Sequence, residues 1–537
     1  MAPNGASAYF SAALHNEMMQ IHRFPTQIIS LVSVVLALSG CAAPDVPATT
    51  AAAPAARTAH GDSYLWLNRL SWGASPSFID AHAAKGFDAY LTQQLRPAPA
   101  RLPEAVTAQI QALTISQRPM VQLVQGLEQK NKDANALTND DEKKVAQQSY
   151  QQELNRLGRE AATRQILRGL YSPNQIQEQM TWFWSNHFSV FQFKSNIRPM
   201  LGDYEDVAIR PKALGKFRDL LKAIALHPAM LRNLDNDQNA AGRINENFAR
   251  ELMELHTLGV GSGYSQRDVQ ELARVLTGVG VNLQTNNPSF KADLQAYYVR
   301  RGLFEFNPSR HDFADKQLLG QPLRAKGLAE VDEALDRLAR HPATAAFVSR
   351  KLVQFWLADD APKALVDRMA QTFQRTDGDI AETLKTLFTS VEFAQGGGKK
   401  FKDPMRYVMS AVRMAYDDKT ILNVGPMLSW LNRMGEPLYG RQTPDGYPMN
   451  ESAWASPGQM ATRFEIAKAI GTGNAGLFKS EGAVPVERAA FPQLSNALYF
   501  QSIAKTLSLG TRKALEQATS PQEWNTCLLS SPEMMTR

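Results

Sequence analysis

The run Asn245-Glu246-Asn247-Phe248-Ala249-Arg250-Glu251-Leu252-Met253-Glu254-Leu255-His256-Thr257-Leu258-Gly259 decides the reading of this chain. Projected at 100° per residue, Phe248, Leu252 and Leu255 form one stripe, with Ala249 and His256 at its edge. That stripe predicts a core-facing helix. Glu246 precedes Arg250, and Arg250 precedes Glu254, by the four residues at which opposite charges meet on a helix surface. Gly259 stands where a C-terminal cap belongs. Asn247, Glu251 and Glu254 make a second, polar stripe. It reads either as a solvated face laced with ion pairs, as a layer locking neighbouring helices through Arg250, or as an acid/base or metal site.

Working outward toward the carboxyl end, Gly261-Ser262-Gly263 leads into Ser265-Gln266-Arg267-Asp268, a capping-box start for a helix running to Thr277. Residues 303–307 alternate apolar and polar, and 316–319 are expected to pair with them as the one β-hairpin of the chain. His311 and Asp312 lie between them in a charged tip, either as site residues on a loop or as a salt-bridged turn. Helical patterns return through 328–357, 380–393 and 404–416. A Pro/Gly/aromatic loop at 435–458 is long enough to cover a pocket.

Toward the amino end, Asp235, Asp237, Asn239 and Glu246 fall at positions 1, 3, 5 and 12 of a loop between helices, the oxygen spacing of a calcium-binding EF-hand. Ala240 stands where that loop needs glycine and Gly242 where it needs an apolar residue. A polar loop capping the next helix is therefore the stronger reading. A helix broken at His227-Pro228 precedes it. Met180-Thr181-Trp182-Phe183-Trp184-Ser185-Asn186-His187-Phe188 places Phe183, Trp184 and His187 on one face with Met180. His187 is a candidate base or ligand wrapped in aromatics, or else a buried histidine bonded to a carbonyl. Residues 101–162 are rich in Gln, Lys and Glu and predict a projecting polar helical hairpin, broken near 131–139.

The first 40 residues carry an address. From Met18 or Met19, His22 and Arg23 precede a dozen-residue apolar run, too short to span a bilayer. The run ends in Leu38-Ser39-Gly40-Cys41, a lipobox-like sequence that predicts lipidation of Cys41 and membrane attachment through it. Ala42 rather than aspartate after the cysteine points to the outer membrane of a Gram-negative cell envelope. Residues 41–60, rich in Ala, Pro and Thr, form a flexible tether, and 61–537 a single mostly helical domain.

Removal of residues 1–40 takes one charge of each sign, Glu17 and Arg23, so the net charge stays +6. Over nearly 500 residues that is no nucleic-acid footprint. With Cys41 lipidated, only Cys527 remains, which rules out an intramolecular disulfide. The fold class is mainly α, a large multi-helix domain with one small β-hairpin.

Residues 67–76, 183–188, 245–259, 264–277, His311-Asp312 with Lys316 and Gly320, and 528–533 together resemble the bacterial exported domain-of-unknown-function family numbered eighteen hundred. The resemblance runs from about Asp62 to the carboxyl end. It implies export and a sulfatase-like exported companion, but no settled activity. Members differ in the length of the loop before the central motif, which weighs against calcium. The 435–454 segment departs from the family's shorter form, so a pocket there would belong to this branch.

Two functions remain from the sequence. One is a cell-envelope lipoprotein binding a ligand or an exported partner. The other is a hydrolase-type or metal-dependent enzyme, with a divalent metal as candidate cofactor, gathering His187, Glu251, Glu254, His256, His311 and Asp312. The enzyme requires these groups within hydrogen-bond or ligand distance in one cleft. The binding protein requires them apart.

Overall fold

The computed structural model describes residues 63–479 and 491–537. The apolar run, Cys41 and the tether lie outside the described residues. No helix among those described is long and apolar enough to cross a membrane.

Helices dominate, and their ends follow local chemistry. Ser265 and Asp268 complete a reciprocal capping box at the start of the Gln266–Val275 helix. The break at His227-Pro228 is a cap. The His227 ring accepts from the Ala229 amide at 3.1 Å while Pro228 takes the first helical position of Pro228–Asn233. His341-Pro342 repeats the device at the head of Pro342–Trp356.

The polar hairpin forms from Met120–Ala136 and Asp140–Tyr171, with Asn139 capping the second helix. Leu123, Leu127, Tyr150, Leu154 and Leu157 give it a small core of its own. It begins at Met120 rather than at 101, since 104–117 form two short helices of their own, and its carboxyl end extends past the expected boundary at 162. There Ile166, Leu167 and Leu170 enter the main core, which takes apolar residues from Tyr64 to Met535.

The strands differ from expectation. Residues 303–307 do not pair with 316–319. Strand β3 (Phe304–Phe306) lies between β1 (Val279–Val281) and β2 (Val299–Arg301), antiparallel to both. As a central strand it is buried on both faces, including Glu305, which takes hydrogen bonds from Asn282 at 3.0 Å and Tyr298 at 3.3 Å. Its apolar–polar alternation therefore does not mark one wet face. A second ladder, β4 (Gln317–Leu318) with β5 (Gln321–Pro322), closes locally. Leu319 and Gly320 both take positive φ (52° and 73°), the two-residue turn that suits a hairpin's twist.

The decisive helix is shorter than its pattern, spanning Asn247–Glu254. It ends in wide turns, His256 N–H to Glu251 O at 3.1 Å and Leu258 N–H to Met253 O at 2.9 Å. Residues after Glu254 therefore leave the 100° projection: Leu255, on the expected stripe, is half-buried, whereas His256, at its edge, is fully buried. Gly259 completes the turn at φ 88°, and a Cβ there would come within 2.8 Å of the Phe347 ring.

Candidate functional site

The Gln175–His187 helix is buried on nearly every side, and its aromatic face holds His187 as the spacing predicts. The His187 ring lies among Phe183, Trp184, Phe188 and Phe347, with centroids 4.5–6.1 Å away. The turn after the central helix brings His256 beside it, centroid to centroid 6.1 Å. His187 Nε2 meets the His256 carbonyl oxygen at 3.1 Å. His187 Nδ1 and both ring nitrogens of His256 have no hydrogen-bond partner among the described residues. Burial, with Lys351 nearby, drives the pKa of His187 well below the ordinary value and that of His256 to about 3. Both imidazoles are neutral at any physiological pH.

Among the described residues no carboxylate bonds to either ring. Glu251 and Glu254 are half-buried on the outer side of the helix. Desolvation and the neighbouring Glu254 raise the pKa of Glu251. Arg250 pairs with Glu246 at 3.0 Å and Glu254 at 3.6 Å, as the spacing requires. Gln266 donates to Glu246 at 2.7 Å and accepts from Arg250 at 2.9 Å, which ties the central helix to the next one. The polar stripe is thus an interhelical lock with ion pairs, half in solvent.

Lys351, on the Pro342–Trp356 helix, acts electrostatically on both imidazoles. Its ammonium lies 5.7 Å from the Phe347 ring centroid. Desolvation lowers its pKa to about 8, opposed by Asp445. One lysine on an amphipathic helix gives no sequence signal. Asn186 precedes His187 on the Gln175–His187 helix. Its side chain accepts from the Tyr447 amide at 2.6 Å and donates to the Tyr447 carbonyl at 3.0 Å, pinning the long loop. Gly446 precedes that clamp at φ 75°, and a Cβ there would collide with the Asn186 carbonyl.

The pinned loop does border a cavity, as its length suggested. Gln354, Asp359 and Asp360 form one wall, and Met449, Asn450, Glu451, Ser452 and Ala455 the other, around about 780 Å³. Asp359 pairs with the buried Lys400 and accepts from the Glu451 amide at 2.7 Å. Asp360 and Glu451 are exposed and stand in no ion pair among the described residues.

His311 belongs to a different place. It contacts Phe306 and Phe313, its Nδ1 meets the Thr277 carbonyl at 2.8 Å, and its Nε2 lies 3.3 Å from Glu330. Lys316 closes this buried group at 2.9 Å from the same Glu330 oxygen. Asp312 pairs with Arg274 at 2.7 Å, the salt-bridged turn. None of these partners comes from the elements around His187. The expected gathering of six residues therefore resolves into a His187–His256 pair, an outer carboxylate face and a separate His311 group.

The calcium loop is not formed. Asp235 takes a left-handed conformation and pairs with Lys194 at 2.6 Å. Asp237 faces Arg232, Glu246 serves Arg250, and Asn239 turns inward, its amide donating to the Ala273 carbonyl at 2.8 Å. Without glycine at Ala240 the oxygens do not converge. Among the described residues no three His, Cys, Asp or Glu side chains are placed to share a metal ion.

A family model described as a protein of unknown function, DUF1800, matches residues 65–536. The chain belongs to this family. In this DUF1800 protein the motifs that carry the family resemblance lie in the matched segment, and two of them, around His187 and His256, meet in space. No curated protein and no solved structure matches the chain.

Proposed function

We propose that this DUF1800 chain is an outer-membrane lipoprotein, tethered through Cys41 in a Gram-negative envelope, that binds a basic segment of an exported partner protein. The single observation carrying the binding reading is the 780 Å³ cavity with Asp359, Asp360 and Glu451 at its margin. Lys400, beside Asp359, is buried and already paired with it. Cavities of this size suit short peptide side chains or small ligands, and unpaired carboxylates favour cations. The tether rests on the lipobox-like 38–41 sequence. A sulfatase-like companion, which the family resemblance suggests, is one protein to supply such a segment.

The enzyme reading has the unpartnered His187 and His256 nitrogens on its side. Against it, both imidazoles are buried at 2% and 0% exposure, and neither touches a carboxylate.

Titration of the mature protein with a lysine-rich peptide tests the binding reading. Paired substitution of Asp360→Asn and Glu451→Gln is expected to weaken binding about tenfold, at roughly 0.7 kcal/mol for each exposed charge. Equal affinity in the variant, or no binding by the parent, refutes it. Loss of fatty-acid labelling in Cys41→Ser tests the tether separately.

A further inference from the structure

Behind the cavity, where residues 400–402 meet 535–537, the protein buries an excess of cations. The two segments pair backbone to backbone, Lys402 N–H to Met535 O at 2.8 Å and Arg537 N–H to Lys400 O at 2.9 Å. That pairing carries the Arg537 side chain inward, where it donates to the Phe355 carbonyl. Its guanidinium carbon lies 5.7 and 5.5 Å from the Phe355 and Trp356 ring centroids. Arg406, on the Pro404–Tyr416 helix, lies over the same two rings at 4.2 and 5.3 Å. Arg463 donates to the Lys402 carbonyl at 2.7 Å and packs 4.8 Å from both Phe401 and Tyr407. All four cationic side chains are buried.

Their counter-charges fall short. Asp403 lies 3.6 Å from Arg406 Nε but spends its other oxygen capping the helix through the Arg406 amide. Burial and Asp403 raise the pKa of Glu436 well above the carboxylate range, and it accepts from the Met405 amide at 2.8 Å. Among the described residues no aspartate or glutamate forms an ion pair with Lys402, Arg463 or Arg537. Among the described residues five guanidinium nitrogens of this cluster find no hydrogen-bond acceptor: Arg406 Nε and Nη2, Arg463 Nε, and Arg537 Nε and Nη1.

Buried charges without partners are strongly unfavourable, and buried N–H groups without acceptors call for an explanation such as an ion. Lys402 can shed its proton, since burial and three neighbouring guanidiniums bring its pKa to about 7. Guanidiniums keep theirs. Three of them outnumber the side-chain carboxyls of Asp403 and Glu436 beside them, which leaves excess positive charge, with forked donors that suit an anion.

We infer that Arg406 and Arg537, with Lys402 and Arg463 around them, hold a small inorganic anion as a resident ligand. It neutralises the cluster and fastens the 535–537 segment to the Phe355–Trp356 floor. The site is independent of the acidic cavity, and its occupancy does not depend on the binding reading above.

The test is thermal unfolding of the mature protein in sodium gluconate, with sodium chloride, phosphate or sulfate exchanged in at constant ionic strength. At least one of the three is expected to raise the midpoint saturably, by roughly 2–3 °C at a hundredfold excess over its Kd. The three arms separate halide from oxyanion. Arg537→Gln and Lys402→Met are each expected to weaken the apparent affinity at least tenfold. If Arg537→Gln does not fold, Lys402→Met, which breaks no ion pair described here, decides alone. No stabilisation by any of the three beyond gluconate overturns the inference. So does an unchanged response in Lys402→Met.

Discussion

Replacing His256 by leucine probes the buried histidine pair at the centre of the family motif. His256 is wholly buried, and both ring nitrogens lack partners. Leucine has similar bulk and leaves the backbone carbonyl that His187 uses. An unpartnered buried polar atom costs about 1–3 kcal/mol, so His256→Leu is expected to be more stable than the parent by about that amount at pH 7.5. The pH dependence sharpens the test. The folded-state pKa of about 3 lies below the ordinary 6.5, so below pH 6.5 the unfolded chain binds a proton that the folded chain does not. This group therefore leaves stability untouched above pH 6.5 and erodes it as pH falls toward 3. At pH 5 the erosion is about 2 kcal/mol, from 1.36 kcal/mol per pH unit. Urea unfolding at pH 7.5 and 5.0, followed by tryptophan fluorescence, gives the loss for each protein. His187 contributes with the same sign to both, so the difference between the two losses isolates His256. Equal acid losses in parent and variant would refute the reasoning, and a leucine variant less stable at both pH values would show that the imidazole holds a partner.

Three further outcomes are expected. Asn186→Ala removes both hydrogen bonds that pin Tyr447, lowering stability by about 2 kcal/mol; protease cleavage within 441–447 should accelerate, and unchanged cleavage counts against the clamp. Lys316→Met leaves Glu330 buried without its closest cation and should cost about 3–5 kcal/mol in denaturant unfolding, with a loss below 1 kcal/mol contradicting the buried group. Calcium at millimolar concentration should leave the unfolding midpoint of the parent unchanged, because Asp235, Asp237 and Glu246 already face cationic side chains; a saturable rise abolished by Asp237→Asn would restore the loop as a metal site.

Much of the helical frame was legible along the chain. The Ser265–Asp268 cap, the break before Asn139, the boundary at His227-Pro228 and the Glu246–Arg250–Glu254 pairs are all decided by residues within about four positions of one another, where periodicity and capping act. The inward face of His187 followed from the same projection. His256, expected at the edge of that stripe, is wholly buried, because wide turns after Glu254 carry it further inward.

The sequence by itself determined the helical class, the element boundaries set by caps, and the separation of a polar hairpin from the apolar body. Tertiary structure alone decided the rest. It placed β3 between two strands where one was expected, set Tyr447 against Asn186 across 261 residues, and carried Arg537 to Phe355 across 182. It also parted His311 from His187, although both read as candidates for one site. Contacts between residues so far apart along the chain depend on how whole helices pack. Local patterns specify which face of a helix turns inward, but not which distant face it meets there.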